Sequence, residues 1–127
     1  MADLTRTVLA YTEAIQRLVP GLKTSTDWEP LAAFVAVDDF ERVGTFMEVQ
    51  DWREYTEMLT QWASSVDKFD TATRRITEAP NTVFFEIEER HFRGGDVHVV
   101  NSMTVFGFDE GGKIRHLDVY LQQGRSA

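Results

Sequence analysis

Three side chains suited to acid/base chemistry stand close together in the last third of the chain: Glu89, His91 and His98. Glu89 and His91 are two residues apart, so on a β-strand both point to the same face. The Gly94-Gly95 pair predicts a two-residue hairpin turn, which sets His91 opposite His98 on the next strand. A base, an orienting carboxylate and a second imidazole would then lie within reach of one another, as proton abstraction or water activation requires.

The same three residues also have a plainer interpretation. The open end of a hairpin is solvated, and polar side chains there often do no chemistry. Two histidines and one glutamate are metal-ligand types, but neither a third histidine nor a compact ligand motif accompanies them. The sequence therefore predicts no metal site.

These residues belong to a predicted meander of three strands. The strands are VFFEIEERHF, VHVVNSMTVFGF and KIRHLDVYLQ, separated by Gly94-Gly95 and by Gly111-Gly112. A further strand, from Phe69 to Glu78, precedes them. The register set by the first turn pairs Glu89 with Val100, Ile87 with Ser102, and Phe85 with Thr104.

Three helices and a short strand are predicted upstream. Apolar residues at helical spacing predict a helix from Leu4 to Val19 and a second from Asp27 to about Asp38-Asp39. The segment from Phe40 to Met47 predicts a strand that Gly44 interrupts. Asp51 then caps a third helix, to about Val66, which carries an aromatic stripe.

Strand alternation gives the sheet one face that could wall a ligand pocket. With the aromatic stripe of the third helix, the predicted pocket residues are Trp52, Tyr55, Trp62, Phe85, Ile87, Thr104, Phe106, Leu117 and Val119. Alternation also turns Asp118 and Tyr120 away from that face.

The opposite face of the second meander strand is apolar as well. It presents Val97, Val99, Met103 and Val105. Because no helix is left to cover this face, a homodimer packed sheet to sheet is expected.

The composition excludes several functional classes. A chain of 127 residues fits one domain, and a net charge of −8 repels nucleic-acid phosphates and anionic lipid. The absence of cysteine removes disulfides and thiolate nucleophiles, as expected in a reducing cytoplasm. No apolar run is long enough to span a membrane.

The order of elements, the Asp38-Asp39 pair before the first strand and the ending FGFDEGGKIRHLDVYLQ resemble the nuclear-transport-factor-2-like superfamily. Its members include SnoaL-like proteins, ketosteroid isomerase, limonene-epoxide hydrolase and scytalone dehydratase. The resemblance implies a single SnoaL-like domain over residues 1–127, of α+β class. In this fold, a cone-shaped α+β barrel, three N-terminal helices pack on a curved, mixed but mostly antiparallel sheet that encloses an apolar pocket. Members often dimerise through the outer face of the sheet.

The resemblance transfers few catalytic residues. The two acids of ketosteroid isomerase fall on Gly44 and Thr104, although the tyrosine of its first helix has a counterpart in Tyr11. The epoxide-hydrolase Arg-x-Asp pattern meets Arg90-His91-Phe92, and its last aspartate falls on Val119 or, after a one-residue slip, on Asp118. The residues of this chain that most resemble the catalytic residues of scytalone dehydratase are His91, His98 and Tyr11.

Two functions follow as expectations. The first is a small-molecule enzyme of isomerase, cyclase, dehydratase or hydrolase type, acting on an apolar cyclic substrate without an organic cofactor. In it, His91 is the base, Glu89 orients it, and Tyr11 or His98 donates the proton. The second is a non-catalytic dimeric domain of the same fold with a ligand-binding or accessory role.

Overall fold

The computed structural model describes residues 3–21 and 24–124. Its helices are α1 (Leu4–Leu18), α2 (Glu29–Ala32) and α3 (Trp52–Ser64). Its strands are β1 (Glu41–Val43), β2 (Val49–Gln50), β3 (Lys68–Ala79), β4 (Thr82–Arg93), β5 (Asp96–Phe108) and β6 (Ile114–Gln123). The predicted domain over 1–127 also includes residues 1, 2, 22, 23 and 125–127, which lie outside the described part of the chain.

The six strands form one open, mixed sheet in the order β2-β1-β6-β5-β4-β3. Strand β1 runs parallel to β6, and the other neighbouring strands are antiparallel. The helices bury their apolar stripes on one face of this sheet. The predicted α+β architecture is confirmed, with the refinement that the sheet does not close on itself.

The β4–β5 hairpin fixes the register of the candidate residues. Gly94 and Gly95 have φ values of 54° and 90°, which side chains disfavour and which a tight hairpin turn requires. His91 therefore pairs with His98, and Glu89 with Val100. The predicted register of this hairpin is confirmed.

The core lies between the helices and the inner face of the meander. Helix α3 begins at a capping box, in which the Glu54 amide donates to Asp51 at 2.8 Å and the Asp51 amide donates to Glu54 at 3.0 Å. The helices contribute Val8, Tyr11, Leu31, Tyr55 and Leu59, Trp28 is buried just before α2, and the sheet contributes Val83, Phe85, Ile87, Phe106 and Leu117. Burial of these apolar surfaces supplies the main driving force for folding.

Two predicted elements are shorter than expected. The second helix ends at Ala32 rather than near Asp38-Asp39, because the following backbone pairs with β6: the Ala36 amide donates to the Ile114 carbonyl at 2.9 Å. The predicted strand from Phe40 to Met47 is limited to β1, since a turn after Gly44 reverses the chain into β2.

The outer face of the sheet is partly open to solvent. Val97 and Val99 are 49% and 47% exposed, whereas Met103 and Val105 are half-buried. On β6, Leu117 is buried on the inner face of the sheet. The next residue, Asp118, bonds to His116, with Asp118 Oδ1 3.0 Å from His116 Nε2. The predicted orientation of this strand is therefore confirmed. In the described segments, every helix is too short or too polar to cross a lipid bilayer.

Candidate functional site

A cavity of about 280 Å³ lies between α1, α3 and the inner face of the sheet. Its wall is largely apolar, and its few polar side chains converge from different elements, as is typical of small-molecule sites. The predicted residues that line it are Tyr11, Tyr55, Trp62, Phe85, Ile87, Glu89, His91, Thr104, Phe106, Leu117 and Val119. Helix packing thus brings most of the sequence candidates to one space.

Two candidates lie elsewhere. His98 is exposed, because the hairpin end extends past the helices; its ring centroid is 6.2 Å from that of His91. Trp52 is the first residue of α3 and packs edge-on against Phe40, with the ring centroids 5.4 Å apart. The structure therefore removes His98 and Trp52 from the wall of the cavity.

At one end of the cavity, Glu89 sits in a hydrogen-bonded network. His91 Nε2 lies 2.9 Å from Glu89 Oε1, and the Ser102 hydroxyl donates to the other carboxylate oxygen, Oε2. The indole N–H of Trp62 donates to His91 Nδ1 at 3.0 Å. The side chains of Glu89 and His91 are only 18% and 11% exposed.

This network fixes the direction of each bond. An indole nitrogen can only donate, so His91 Nδ1 must accept, and the proton of the neutral ring resides on Nε2. That proton points to Glu89, which accepts from both His91 and Ser102. The free lone pairs at this end of the cavity therefore belong to the Glu89 carboxylate, while both ring nitrogens of His91 are engaged.

A pair of phenols joins helices α1 and α3. The hydroxyls of Tyr11 and Tyr55 are 2.8 Å apart. Burial raises the pKa of Tyr11 well above its usual range, and burial is also the main cause that raises the pKa of Tyr55. Both rings are therefore neutral at physiological pH. One phenol donates to the other, so one O–H proton of the pair is left to donate to a bound molecule.

Arg42 is a cavity residue that the sequence analysis did not identify. It lies on β1, and its guanidinium carbon is 5.5 Å from the centroid of the Tyr55 ring. The sequence signal for Arg42 is its spacing from Phe40, which is buried and lies two residues earlier. In an extended segment this spacing places both side chains on the same face. Thr12, Ile15, Met58, Leu59, Phe69 and Leu121 also line the cavity and were not predicted.

The described residues hold no group of three histidine, aspartate or glutamate side chains arranged to bind a metal ion. Asp118, on which the last aspartate of the epoxide-hydrolase pattern falls after a one-residue slip, bonds to His116 and is absent from the cavity wall. The polar groups of the cavity-lining side chains are thus one carboxylate, one imidazole, one indole N–H, two phenols, one guanidinium and the hydroxyls of two threonines.

Comparison with known proteins establishes the fold. No family model matches the sequence, and no curated protein matches it. Solved structures do match: a protein from Shewanella putrefaciens CN-32, provisionally assigned as a SnoaL-like polyketide cyclase, superposes with a TM-score of 0.75 at 13% identity. That match covers 95% of this chain and 80% of the other.

The chain has the nuclear-transport-factor-2-like fold. An epoxide hydrolase of limonene-epoxide-hydrolase-like type from M. tuberculosis matches at a TM-score of 0.72 and 20% identity, over 94% of this chain and 82% of that one. IdmH from Streptomyces antibioticus, provisionally assigned as a polyketide cyclase, matches at 0.77 and 12% identity, over 95% and 93%. At these identities the nuclear-transport-factor-2-like fold is shared and the chemistry is a separate question.

Proposed function

We propose that the protein is a small-molecule enzyme of SnoaL-like type that removes a proton from an apolar cyclic carbonyl compound in the cavity. In this proposal Glu89 is the general base, and His91 and Ser102 orient its carboxylate. The phenol pair donates a hydrogen bond to the carbonyl oxygen as the enolate forms. The proton passes from the substrate carbon to the Glu89 carboxylate and returns to the product.

One observation carries this proposal: a carboxylate fixed by two donors faces an apolar cavity whose other polar groups include a neutral phenol pair. The sequence predicts His91 as the base and Glu89 as the residue that orients it. The hydrogen bonds favour the reverse, with Glu89 as the base and His91 as the residue that orients the carboxylate. Exposed His98 has no part in it. Two of the matched structures are provisionally assigned as polyketide cyclases, which supports an enzymatic use of the cavity.

The proposal is tested with 2-tetralone, an apolar bicyclic ketone with acidic protons beside its carbonyl. The protein is incubated with it in D2O, and loss of the α-proton signals is followed by NMR. We expect Glu89→Gln to slow the protein-dependent exchange by about a hundredfold or more, the scale of general base catalysis. Tyr11→Phe should slow it too, while Asp118→Asn on the outer face should not.

A second function, a non-catalytic ligand-binding domain, is favoured by one feature. Both oxygens of Glu89 already accept hydrogen bonds from the protein, which would also satisfy a purely structural carboxylate. If 2-tetralone binds without any protein-dependent exchange, this second function replaces the first.

We also propose that the outer face of the sheet forms a homodimer through Val97, Val99, Met103 and Val105. Val97 and Val99 are partly exposed near the hairpin end, and further along the strand exposed Phe84 and Tyr120 pair with Val105 and Met103. This apolar surface supports a contact there. Light scattering after size exclusion should give the mass of two chains, and Val99→Asp should give that of one. Val37→Asp, in the turn before β1, is the matched control. The cytoplasmic location stays a prediction.

A further inference from the structure

Arg42 is a largely buried cation in the cavity wall without a close carboxylate. Its side chain is 12% exposed, and it donates from Nη1 to the Gln50 side-chain oxygen at 2.9 Å. The carboxylate of its ion pair, that of Glu48, is 4.0 Å away, beyond hydrogen-bonding distance. A buried charge is costly unless a partner compensates it, so the weak pairing of Arg42 needs an explanation.

Glu48 is committed to the β1–β2 turn rather than to Arg42. The Phe46 amide donates to Glu48 Oε1 at 2.9 Å. The pKa of Glu48 is lowered chiefly by its own backbone N–H, and Arg42 is the least of the causes. Gly44 leaves the space into which this carboxylate folds, since a β-carbon there would collide with it. With 43% of its side chain exposed, Glu48 is a water-screened partner.

The Arg42 guanidinium therefore has N–H groups that are available to hydrogen-bond a ligand. Arginine carries five N–H groups, and Gln50 accepts from one nitrogen. Within residues 3–21 and 24–124, no fully buried side-chain nitrogen or oxygen lacks a partner, so any guanidinium nitrogen of Arg42 without a partner keeps some accessible surface. Arg42 lines the cavity, and a planar guanidinium fork matches a carboxylate in two parallel hydrogen bonds.

We infer that the molecule bound in the cavity is an apolar ring compound that carries one carboxylate, and that Arg42 binds this carboxylate. The inference rests on the proposed use of the cavity as a ligand site and adds the class of ligand. Arg42 is on β1 and Glu89 on β4, three strand spacings or about 14 Å apart across the sheet. They are also offset along the strands, because Arg42 aligns through Leu117 and Phe106 with Val83, which precedes Glu89 by six residues. The carboxylate at one end thus leaves the reacting carbon free to approach Glu89 at the other.

The size of the cavity agrees with such a ligand. Its 280 Å³ corresponds to about nine waters at about 30 Å³ each, enough for a fused pair of rings. Phe85, Phe106, Leu117 and Val119 provide apolar contacts for the rings. A suitable probe is therefore 2-naphthoate, with 2-naphthamide as its neutral counterpart of nearly the same shape.

Calorimetric binding of both probes to the full chain tests the inference. We expect wild type to bind 2-naphthoate about tenfold or more tightly than 2-naphthamide, the scale of one charge-assisted hydrogen bond. Arg42→Gln, which keeps a hydrogen-bonding side chain of similar length, should abolish that preference while changing amide binding less than threefold. Asp118→Asn, which removes a carboxylate on the outer face of the sheet, should leave the binding of both probes unchanged.

The outcomes separate this inference from the proposed function. Equal binding of the two probes to wild type overturns the carboxylate assignment and leaves the cavity as a ligand site. Retention of the preference in Arg42→Gln overturns the role of Arg42. Binding of neither probe overturns the inference, whereas proton exchange on uncharged 2-tetralone tests the proposed reaction independently. The wild-type comparison requires no variant, so a folding defect in Arg42→Gln cannot mask the result.

Discussion

The hydrogen bond between His91 and Glu89 should contribute measurably to stability. Replacement of His91 by phenylalanine keeps a ring against Trp62 and Phe69, whose centroids lie 5.6 and 5.1 Å away, but removes both hydrogen bonds. A bond to an ionised group contributes about 1.5–3 kcal/mol and a neutral bond about 0.5–1.5 kcal/mol. His91→Phe should therefore lower the free energy of unfolding by about 2–4.5 kcal/mol. Since both side chains are mostly buried, water does little to screen the pair.

A double-mutant cycle isolates the pair. Urea unfolding of His91→Phe, Glu89→Met and the double variant should give a coupling energy of about 1.5–3 kcal/mol, with unchanged m-values. The matched control is Glu88 with Arg90, a pair of the same spacing on the outer face of β4. Their side-chain atoms are 2.8 Å apart but both side chains are 37% exposed, so their coupling should not exceed about 1 kcal/mol. An inner coupling no larger than the outer one refutes the described network.

Three further predictions concern the cavity and the β1–β2 turn. In Tyr120→Phe, which keeps only the two cavity tyrosines, phenolate absorbance should appear only above pH 10. Because burial raises both pKa values, the stability that the neutral phenols contribute is fully present below pH 10 and declines above it. Titration near pH 10 in the folded state would contradict this. Val119→Phe should fill the cavity and abolish 2-naphthoate binding, as measured by calorimetry, and unchanged affinity would exclude this cavity as the site. Gly44→Ala should lower the free energy of unfolding in urea by about 1 kcal/mol, because its β-carbon collides with the Glu48 carboxylate, whereas Gly111→Ala should change it by less than about 0.5 kcal/mol.

Local chemistry explains which parts of the fold were predictable. The Gly94-Gly95 turn and the period-two alternation determine the register of β4 and β5, and with it the inward position of Glu89 and His91. These features depend on residues near in sequence. The end of the second predicted helix was wrong because backbone pairing with Ile114, some eighty residues away, overrides helical spacing.

The roles within the site depend on contacts between distant elements. The Trp62 indole donates to His91 from α3, and this bond decides which ring nitrogen carries the proton. Tyr11 and Tyr55 meet only when α1 packs beside α3. Arg42 enters the wall because the short strand β1 pairs in parallel with β6, where Arg42 aligns with Leu117. Residue types and spacing indicate the candidates, and only the packed structure gives their hydrogen bonds.

The central claim is that Glu89, and not His91, takes the proton. The most direct measurement is the rate of α-proton exchange on 2-tetralone in D2O by Glu89→Gln and His91→Gln. Glutamine at position 91 can still donate to Glu89 but cannot act as a base. We predict that His91→Gln retains exchange within about tenfold of wild type, while Glu89→Gln loses about a hundredfold or more. Loss of exchange in His91→Gln with retention in Glu89→Gln would contradict the claim.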